Sequence, residues 1–102
     1  MNNVFTIMGE KVYAKVAKYQ VGGAKAIRLV IAEGQEKGYP FCTVTVNVPD
    51  LILNEGEVLV KTWSENAPVY KELVEQGFLM PTGMGVLCGH AVAAVCKTNF
   101  PE

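Results

Sequence analysis

Three residues near the C-terminal end of the chain are of types that bind zinc or act in catalysis. Cys88, His90 and Cys96 are separated by even numbers of residues, so one regular strand would turn all three toward the same face. Thiolate and imidazole groups are zinc ligands, and a thiol beside an imidazole resembles a nucleophile with its base. However, eight residues of extended strand separate the two cysteines by about 26 Å, so one ion reaches both only if the strand folds back.

The catalytic interpretation has a similar geometric difficulty. Side chains two residues apart on one strand face are not normally within hydrogen-bonding distance, so Cys88 and His90 form a dyad only in a distorted strand. We therefore expect no catalytic residue, no metal and no cofactor. A small enzyme, or a ligand- or metal-binding domain that uses Cys88 and His90, is the alternative.

The acidic residues are concentrated in the middle of the chain. Residues 1–40 contain six basic and three acidic side chains, whereas residues 41–78 contain two basic and six acidic ones. The spacing of the acidic residues matches no calcium-binding loop. We expect the two signs of charge to be separated on the surface, with carboxylates at one end that mimic the phosphates of nucleic acid.

Basic and aromatic residues share one face of a predicted strand in the first part of the chain. These residues are Lys11, Tyr13, Lys15 and Tyr19. Such groups contact phosphates and stack on bases, although an amphipathic strand with a solvated lysine face explains the pattern equally well. The sequence pI near 5.8 is low for a nucleic-acid-binding protein, so direct binding of nucleic acid is disfavoured.

Alternating apolar residues predict strands over most of the chain. Residues 11–32 predict an antiparallel hairpin, since Gly22-Gly23 between the two strands accepts the positive φ angles of a tight turn. Further strands are predicted over residues 41–48, with Cys42 on the core side, and over residues 57–63. A last strand over residues 86–97 is expected to bend at Gly89, so that one or two strands follow the helix.

The hydrophobic period changes from two to that of a helix after residue 66. The spacing predicts one helix over residues 67–76, capped by Asn66 and ended by Gly77 in the left-handed conformation. The predicted fold class is therefore α+β, with a twisted antiparallel sheet of five or six strands and the helix packed on one face. An exposed strand edge of such a sheet would allow a homodimer.

The composition is that of one folded domain spanning residues 1–102. Half of the residues are hydrophobic and the net charge is −1, which supplies enough apolar material for a core. No apolar stretch is long enough to span a membrane, and no secretory signal is recognisable. An odd number of cysteines, three, favours a reducing compartment, so we expect a cytoplasmic protein.

Several short motifs occupy the middle of the chain, namely TVNVPD at residues 45–50, EGEV at 55–58, Lys61 and WSEN at 63–66. Together they resemble a pattern in small proteins that are encoded by phages, plasmids and integrated elements. That family more usually has tyrosine at the position of Trp63, and it has no established reaction, so no catalytic residue is transferred. Small proteins of this origin often inhibit host defence, as anti-CRISPR proteins do.

The resemblance and the separated charges together predict a non-catalytic protein that binds a protein partner. The resemblance implies that this partner is a bacterial immune effector that binds nucleic acid, with no role for a membrane. Trp63 is of the type enriched in interfaces, although a tryptophan here also suits packing beneath the helix. The predicted partner-binding residues are Asp50, Trp63, Glu65, Asn66, Glu72 and Glu75.

Overall fold

The computed structural model describes residues 3–101, which form seven strands and one helix. In chain order these are β1 (Phe5–Ile7), β2 (Glu10–Lys18), β3 (Lys25–Ile31), β4 (Pro40–Thr43), β5 (Glu57–Val60), α1 (Asn66–Glu75), β6 (Leu79–Cys88) and β7 (Ala91–Thr98). The α+β class is confirmed. Within residues 3–101 no helix is long and apolar enough to cross a bilayer.

The strands form two antiparallel sheets, so the prediction of a single sheet of five or six strands is wrong. Sheet 1 has the order β1-β2-β3-β4, and sheet 2 has the order β5-β7-β6. The predicted hairpin over residues 11–32 is confirmed, because β2 and β3 pair from Val12 opposite Ile31 to Lys18 opposite Lys25.

The chain passes from one sheet to the other at Val44. Its N–H donates to the carbonyl of Ile27 in sheet 1 at 2.9 Å, whereas its own carbonyl accepts the N–H of Lys61, just after β5, at 2.9 Å. Two residues later, the N–H of Val46 donates to the carbonyl of Leu59 in sheet 2 at 3.0 Å. The predicted strand over residues 41–48 is therefore divided between the two sheets, which the hydrophobic period alone does not reveal.

The helix lies where the sequence predicts it, but it begins differently. It spans Asn66–Glu75, one residue earlier than predicted, and Gly77 has the positive φ of 82° that ends it. Asn66 is not the capping residue. It is the first residue of the helix, and its side-chain amide donates to the carbonyl of Thr43 at 2.8 Å. This bond ties the start of α1 to the end of β4.

The helix closes the open side between the two sheets. It contacts β1, one edge strand of sheet 1, and β6, one edge strand of sheet 2. The main core lies between the inner faces of both sheets and α1, and burial of its apolar side chains stabilises the fold. Its most buried members include Ile7, Val12, Ile27, Leu29, Val58, Val60, Leu73, Leu79 and Cys96.

The last part of the chain is a hairpin and not the single bent strand that the sequence predicts over residues 86–97. Strands β6 and β7 pair with Cys88 opposite Ala91, and Gly89-His90 forms the two-residue turn. Gly89 has a φ of +64°, which a two-residue hairpin turn of this kind requires and which glycine adopts without steric cost. The predicted bend at Gly89 is therefore a complete reversal of the chain.

Candidate functional site

The outer face of sheet 1, which points away from the core, carries the basic and aromatic residues of β2. Val12 and Ala14 contact the main core, so the alternating residues Tyr13, Lys15 and Ala17 lie on the outer face. The same alternation places Lys11 on this face, whereas Tyr19 lies one residue beyond the end of β2 and reaches Lys15 by lining the same cleft. On the strand residues that share this face in β2 and β3 there is no carboxylate within the described chain.

Two cations lie directly opposite each other on this outer face. Lys15 of β2 pairs with Arg28 of β3, and both side chains are exposed. Like charges directly opposite in adjacent strands repel each other and destabilise the sheet. The one side-chain ion pair within residues 3–101 joins Lys71 to Glu75, at 4.0 Å. Neither Lys15 nor Arg28 is therefore paired with a carboxylate of the described chain.

A shallow cleft adjoins the cation pair. It has a volume of about 290 Å³, and its floor includes Ala17 and Ala26, whose small side chains are opposite each other in the sheet. Lys15, Arg28 and Tyr19 line the same cleft. The cleft therefore combines two positive charges, an aromatic ring and two small side chains that leave space for a ligand.

The position of Tyr19 is set by the junction between the two sheets. Its hydroxyl is hydrogen-bonded to Thr45 Oγ1 at 2.9 Å, and the same oxygen accepts the backbone N–H of Ile27 at 3.0 Å. Thr45 is buried and forms an isolated bridge with Val60 of sheet 2. In a regular pair of strands the N–H of Ile27 would donate to the carbonyl of Val44, but that carbonyl accepts the N–H of Lys61 instead. The hydroxyl of Thr45 takes its place as the acceptor for Ile27.

The predicted partner-binding carboxylates of the helix lie on one flank of α1. Glu65, Glu72 and Glu75 are seven and three residues apart, which places them on one side of a helix with 3.6 residues per turn. Oε2 of Glu72 accepts the N–H of Met8 at 2.7 Å, so this carboxylate also holds the turn between β1 and β2. Glu65 and Glu75 are exposed and Glu72 is partly buried, and the main core separates α1 from the outer face of sheet 1.

Asp50 is not brought together with these carboxylates. It follows Pro49, which packs so closely on Gly22 that a Cβ at Gly22 would lie 3.1 Å from the Pro49 Cα. Gly22 belongs to the turn after β2, whereas Met8, the partner of Glu72, belongs to the turn before it. The nine residues of β2 separate these two turns by about 27 Å.

Trp63 packs on the face of sheet 2 that points away from α1, and not beneath the helix. It is half-buried against a second apolar cluster centred on Leu59, Ala93 and Val95. The preceding residue, Thr62, donates its hydroxyl to the carbonyl of Val92 at 2.7 Å. This bond ties the chain next to Trp63 to β7.

The predicted common face of Cys88, His90 and Cys96 does not form, because the chain reverses between them. Cys88 contacts the second apolar cluster on the outside of sheet 2, whereas Cys96 is buried in the main core on its inside. His90 is exposed in the hairpin turn. Within residues 3–101, no group of three His, Cys, Asp or Glu side chains is arranged to hold a metal ion.

Burial makes two of the three thiols poor nucleophiles. It raises the pKa of Cys42 from 9.0 to about 11, although the nearby Lys61 ammonium partly opposes the shift. Burial also raises the pKa of Cys96, against the effect of a hydrogen bond with Tyr70. The thiolate is the reactive form of cysteine, so the raised pKa lowers the reactivity of both thiols near neutral pH.

The raised pKa of Cys42 predicts that the protein loses stability in alkaline solution. Because the thiol ionises near pH 9.0 in the unfolded chain and near pH 11 in the folded one, the unfolded state is favoured progressively between these values and not below them. We expect the urea midpoint to fall between about pH 8 and about pH 10.5, and to fall less in Cys42→Ala. An equal fall in both proteins would contradict this assignment.

The β6–β7 hairpin exposes apolar side chains. Leu87 is 78% exposed and lies opposite Val92, which is also exposed, while Met84 is exposed in the irregular segment that precedes them. β6 is the outermost strand of sheet 2, and its sequence, LMPTGMGVLC, contains no charged residue. Charges, prolines and bulges on edge strands prevent pairing with another chain, and β6 has Pro81 and the register shift that follows it but no charge over residues 85–88.

Comparisons with protein-family profiles, with curated proteins and with solved structures found no match. The functional interpretation therefore depends on the geometry of this chain. One member of the site was missed by the sequence analysis, namely Arg28. The observed register pairs residues whose numbers sum to 43, whereas a two-residue turn at Gly22-Gly23 would give a sum of 45 and place Val30 opposite Lys15, so the local turn signal does not identify Arg28.

Proposed function

We propose that this protein is a non-catalytic inhibitor that binds a protein partner of a bacterial defence system, and that it docks through the β6–β7 hairpin. The observation that carries the proposal is the uncharged edge strand β6 with the exposed pair Leu87 and Val92. Exposed apolar side chains that adjoin one another on a small protein mark surfaces that another molecule covers.

The partner that fits this surface presents an apolar groove with a basic rim. The groove takes the hairpin tip with Met84, Leu87 and Val92, and unpaired backbone groups of β6 are available to a strand of the partner. The basic rim faces Glu65, an exposed carboxylate three residues after Thr62, whose hydroxyl is bonded to the carbonyl of Val92 in the hairpin. Charge complementarity of this kind increases the rate and specificity of association.

A protein partner fits β6 better than a second copy of the chain does. The pairing of β6 with β7 is irregular between Pro81 and Gly85, which divides the edge into two short regular parts, residues 79–81 and 85–88. Each part is shorter than a typical strand, so a symmetric pair of β6 strands buries little surface, whereas the groove of a partner also covers the exposed side chains of Met84, Leu87 and Val92. The acidic flank of α1 also suits a partner that binds nucleic acid, in agreement with the resemblance to proteins of mobile elements.

The proposal is tested by measuring protection of an invading phage. The protein is expressed in bacteria that carry an active CRISPR–Cas or restriction system, and the efficiency of plating of a targeted phage is measured. Wild-type protein is expected to raise it, and Leu87→Lys to abolish this effect by weakening binding to the effector about thirtyfold. Ile52→Lys is the matched control, because Ile52 is 93% exposed in a loop distant in sequence from the hairpin.

Three results would contradict the proposal. If wild-type protein protects phages from none of the defence systems tested, the function is wrong. If Leu87→Lys and Ile52→Lys protect equally, the hairpin is not the docking surface. If light scattering shows a stable homodimer of the wild-type protein that Leu87→Lys dissociates, the hairpin is covered by a second copy.

A further inference from the structure

We propose that the cleft on the outer face of sheet 1 binds a nucleoside phosphate, as a unit of single-stranded nucleic acid. The juxtaposed groups are the Lys15–Arg28 cation pair and the ring of Tyr19, which border the same cleft of about 290 Å³. This site lies across the core from the helix and does not depend on the docking surface proposed above.

The cation pair is the part of the site that requires an anion. Lys15 and Arg28 repel each other across the strands, and no carboxylate within the described residues pairs with either of them. A phosphate placed between them would remove this repulsion. The planar guanidinium of Arg28 matches two phosphate oxygens, and the Lys15 ammonium contributes a point charge beside it.

The aromatic part of the site is held in place before any ligand arrives. The hydrogen bond from Tyr19 to Thr45 Oγ1, at 2.9 Å, restrains the ring at the border of the cleft. The small side chains of Ala17 and Ala26 leave room for a flat group next to it. Nucleobases stack on aromatic side chains without regard to sequence, so this arrangement suits a base attached to the phosphate.

The length of the face favours a strand of nucleic acid over a free nucleotide. Lys11, Tyr13 and Lys15 continue the site along β2, with alternate residues about 6.8 Å apart on one face. A basic groove with aromatic side chains at intervals is the arrangement that proteins use to follow a single strand. The whole-chain charge of −1 does not oppose this, because the carboxylates of the described strands and helix lie elsewhere.

The experiment measures binding of a fluorescein-labelled oligothymidylate of about 15 nucleotides by anisotropy, with uridine monophosphate and inorganic phosphate as the other probes. The oligonucleotide is expected to bind most tightly and to lose affinity as salt is raised. Arg28→Glu is expected to weaken binding about tenfold or more. Lys37→Glu changes the net charge equally from an exposed loop and is expected to leave the affinity within about twofold.

A second pair of variants tests the aromatic ring. Tyr19→Phe keeps the ring but loses the hydrogen bond that restrains it, so it is expected to weaken binding less than about threefold, whereas Tyr19→Leu is expected to weaken it about tenfold. Circular dichroism verifies that each variant is folded, and Lys15→Gln replaces Arg28→Glu if the latter is not. Nucleotide binding as tight as that of the oligonucleotide would assign the site to free nucleotides.

The proposal fails under any of three results. The first is that the wild-type protein binds neither the oligothymidylate nor uridine monophosphate. The second is that Arg28→Glu and Lys37→Glu weaken binding of the oligothymidylate equally. The third is that inorganic phosphate binds as tightly as uridine monophosphate. The last result would leave no role for Tyr19.

Discussion

Replacing Leu73 by alanine is expected to lower the free energy of unfolding by about 3 kcal/mol, since buried leucines lose about 2–5 kcal/mol on truncation. Leu73 is completely buried, in the part of the core where α1 meets both sheets. Alanine is the better helix former, so intrinsic helix propensity does not contribute to the loss. The cost arises from lost burial and from the cavity left between the helix and the outer strands of the sheets.

The measurement is urea unfolding of wild type and Leu73→Ala, followed by circular dichroism. The matched control is Leu87→Ala, which makes the same chemical change where the side chain is 78% exposed and which we expect to alter stability by no more than about 0.5 kcal/mol. Similar losses in the two variants would mean that α1 does not close the core as described.

Replacing Thr45 by valine is expected to cost about 2 kcal/mol, because valine keeps the shape of threonine but removes the hydroxyl. Thr45 is 1% exposed, and its Oγ1 bonds to the N–H of Ile27 and to the hydroxyl of Tyr19. In the variant, a buried N–H loses its partner at the junction of the two sheets. A buried donor without an acceptor is more costly than the net value of an ordinary hydrogen bond.

A double-mutant cycle with Tyr19→Phe tests this assignment. Tyr19→Phe removes one of the two bonds, so it is expected to cost about 1 kcal/mol, and the double variant is expected to be no less stable than Thr45→Val alone. Strictly additive losses would show that the two residues stabilise the fold independently. A Thr45→Val protein within about 0.5 kcal/mol of wild type would contradict the role of the hydroxyl.

The elements that the sequence predicts correctly are those determined by neighbouring residues. The helix and the hairpin over residues 11–32 are recognisable because their apolar period is interrupted by glycines that end it, Gly77 and Gly22-Gly23. The reversal at Gly89-His90 was missed, since apolar residues continue on both sides of it and one glycine is the sole local signal.

The division into two sheets is not a local property of the sequence. Residues 41–48 alternate without interruption, and the exchange at Val44 depends on hydrogen bonds to Ile27 and Lys61, which are distant in the chain. The same holds for the candidate sites. The face of Lys15 and Tyr19 follows from the period of one strand, whereas the contribution of Arg28 needs the pairing of two strands.

The exchange at Val44 also has a consequence for the evolution of this chain. Val44 forms one backbone hydrogen bond with each sheet. Inserting or deleting a residue between β4 and residue 46 would therefore shift the register of one sheet and turn its core side chains outward. The exposed loop over residues 33–39 has no such restriction. Homologous chains are thus expected to vary in length before β4, and to keep a constant length from there to the junction.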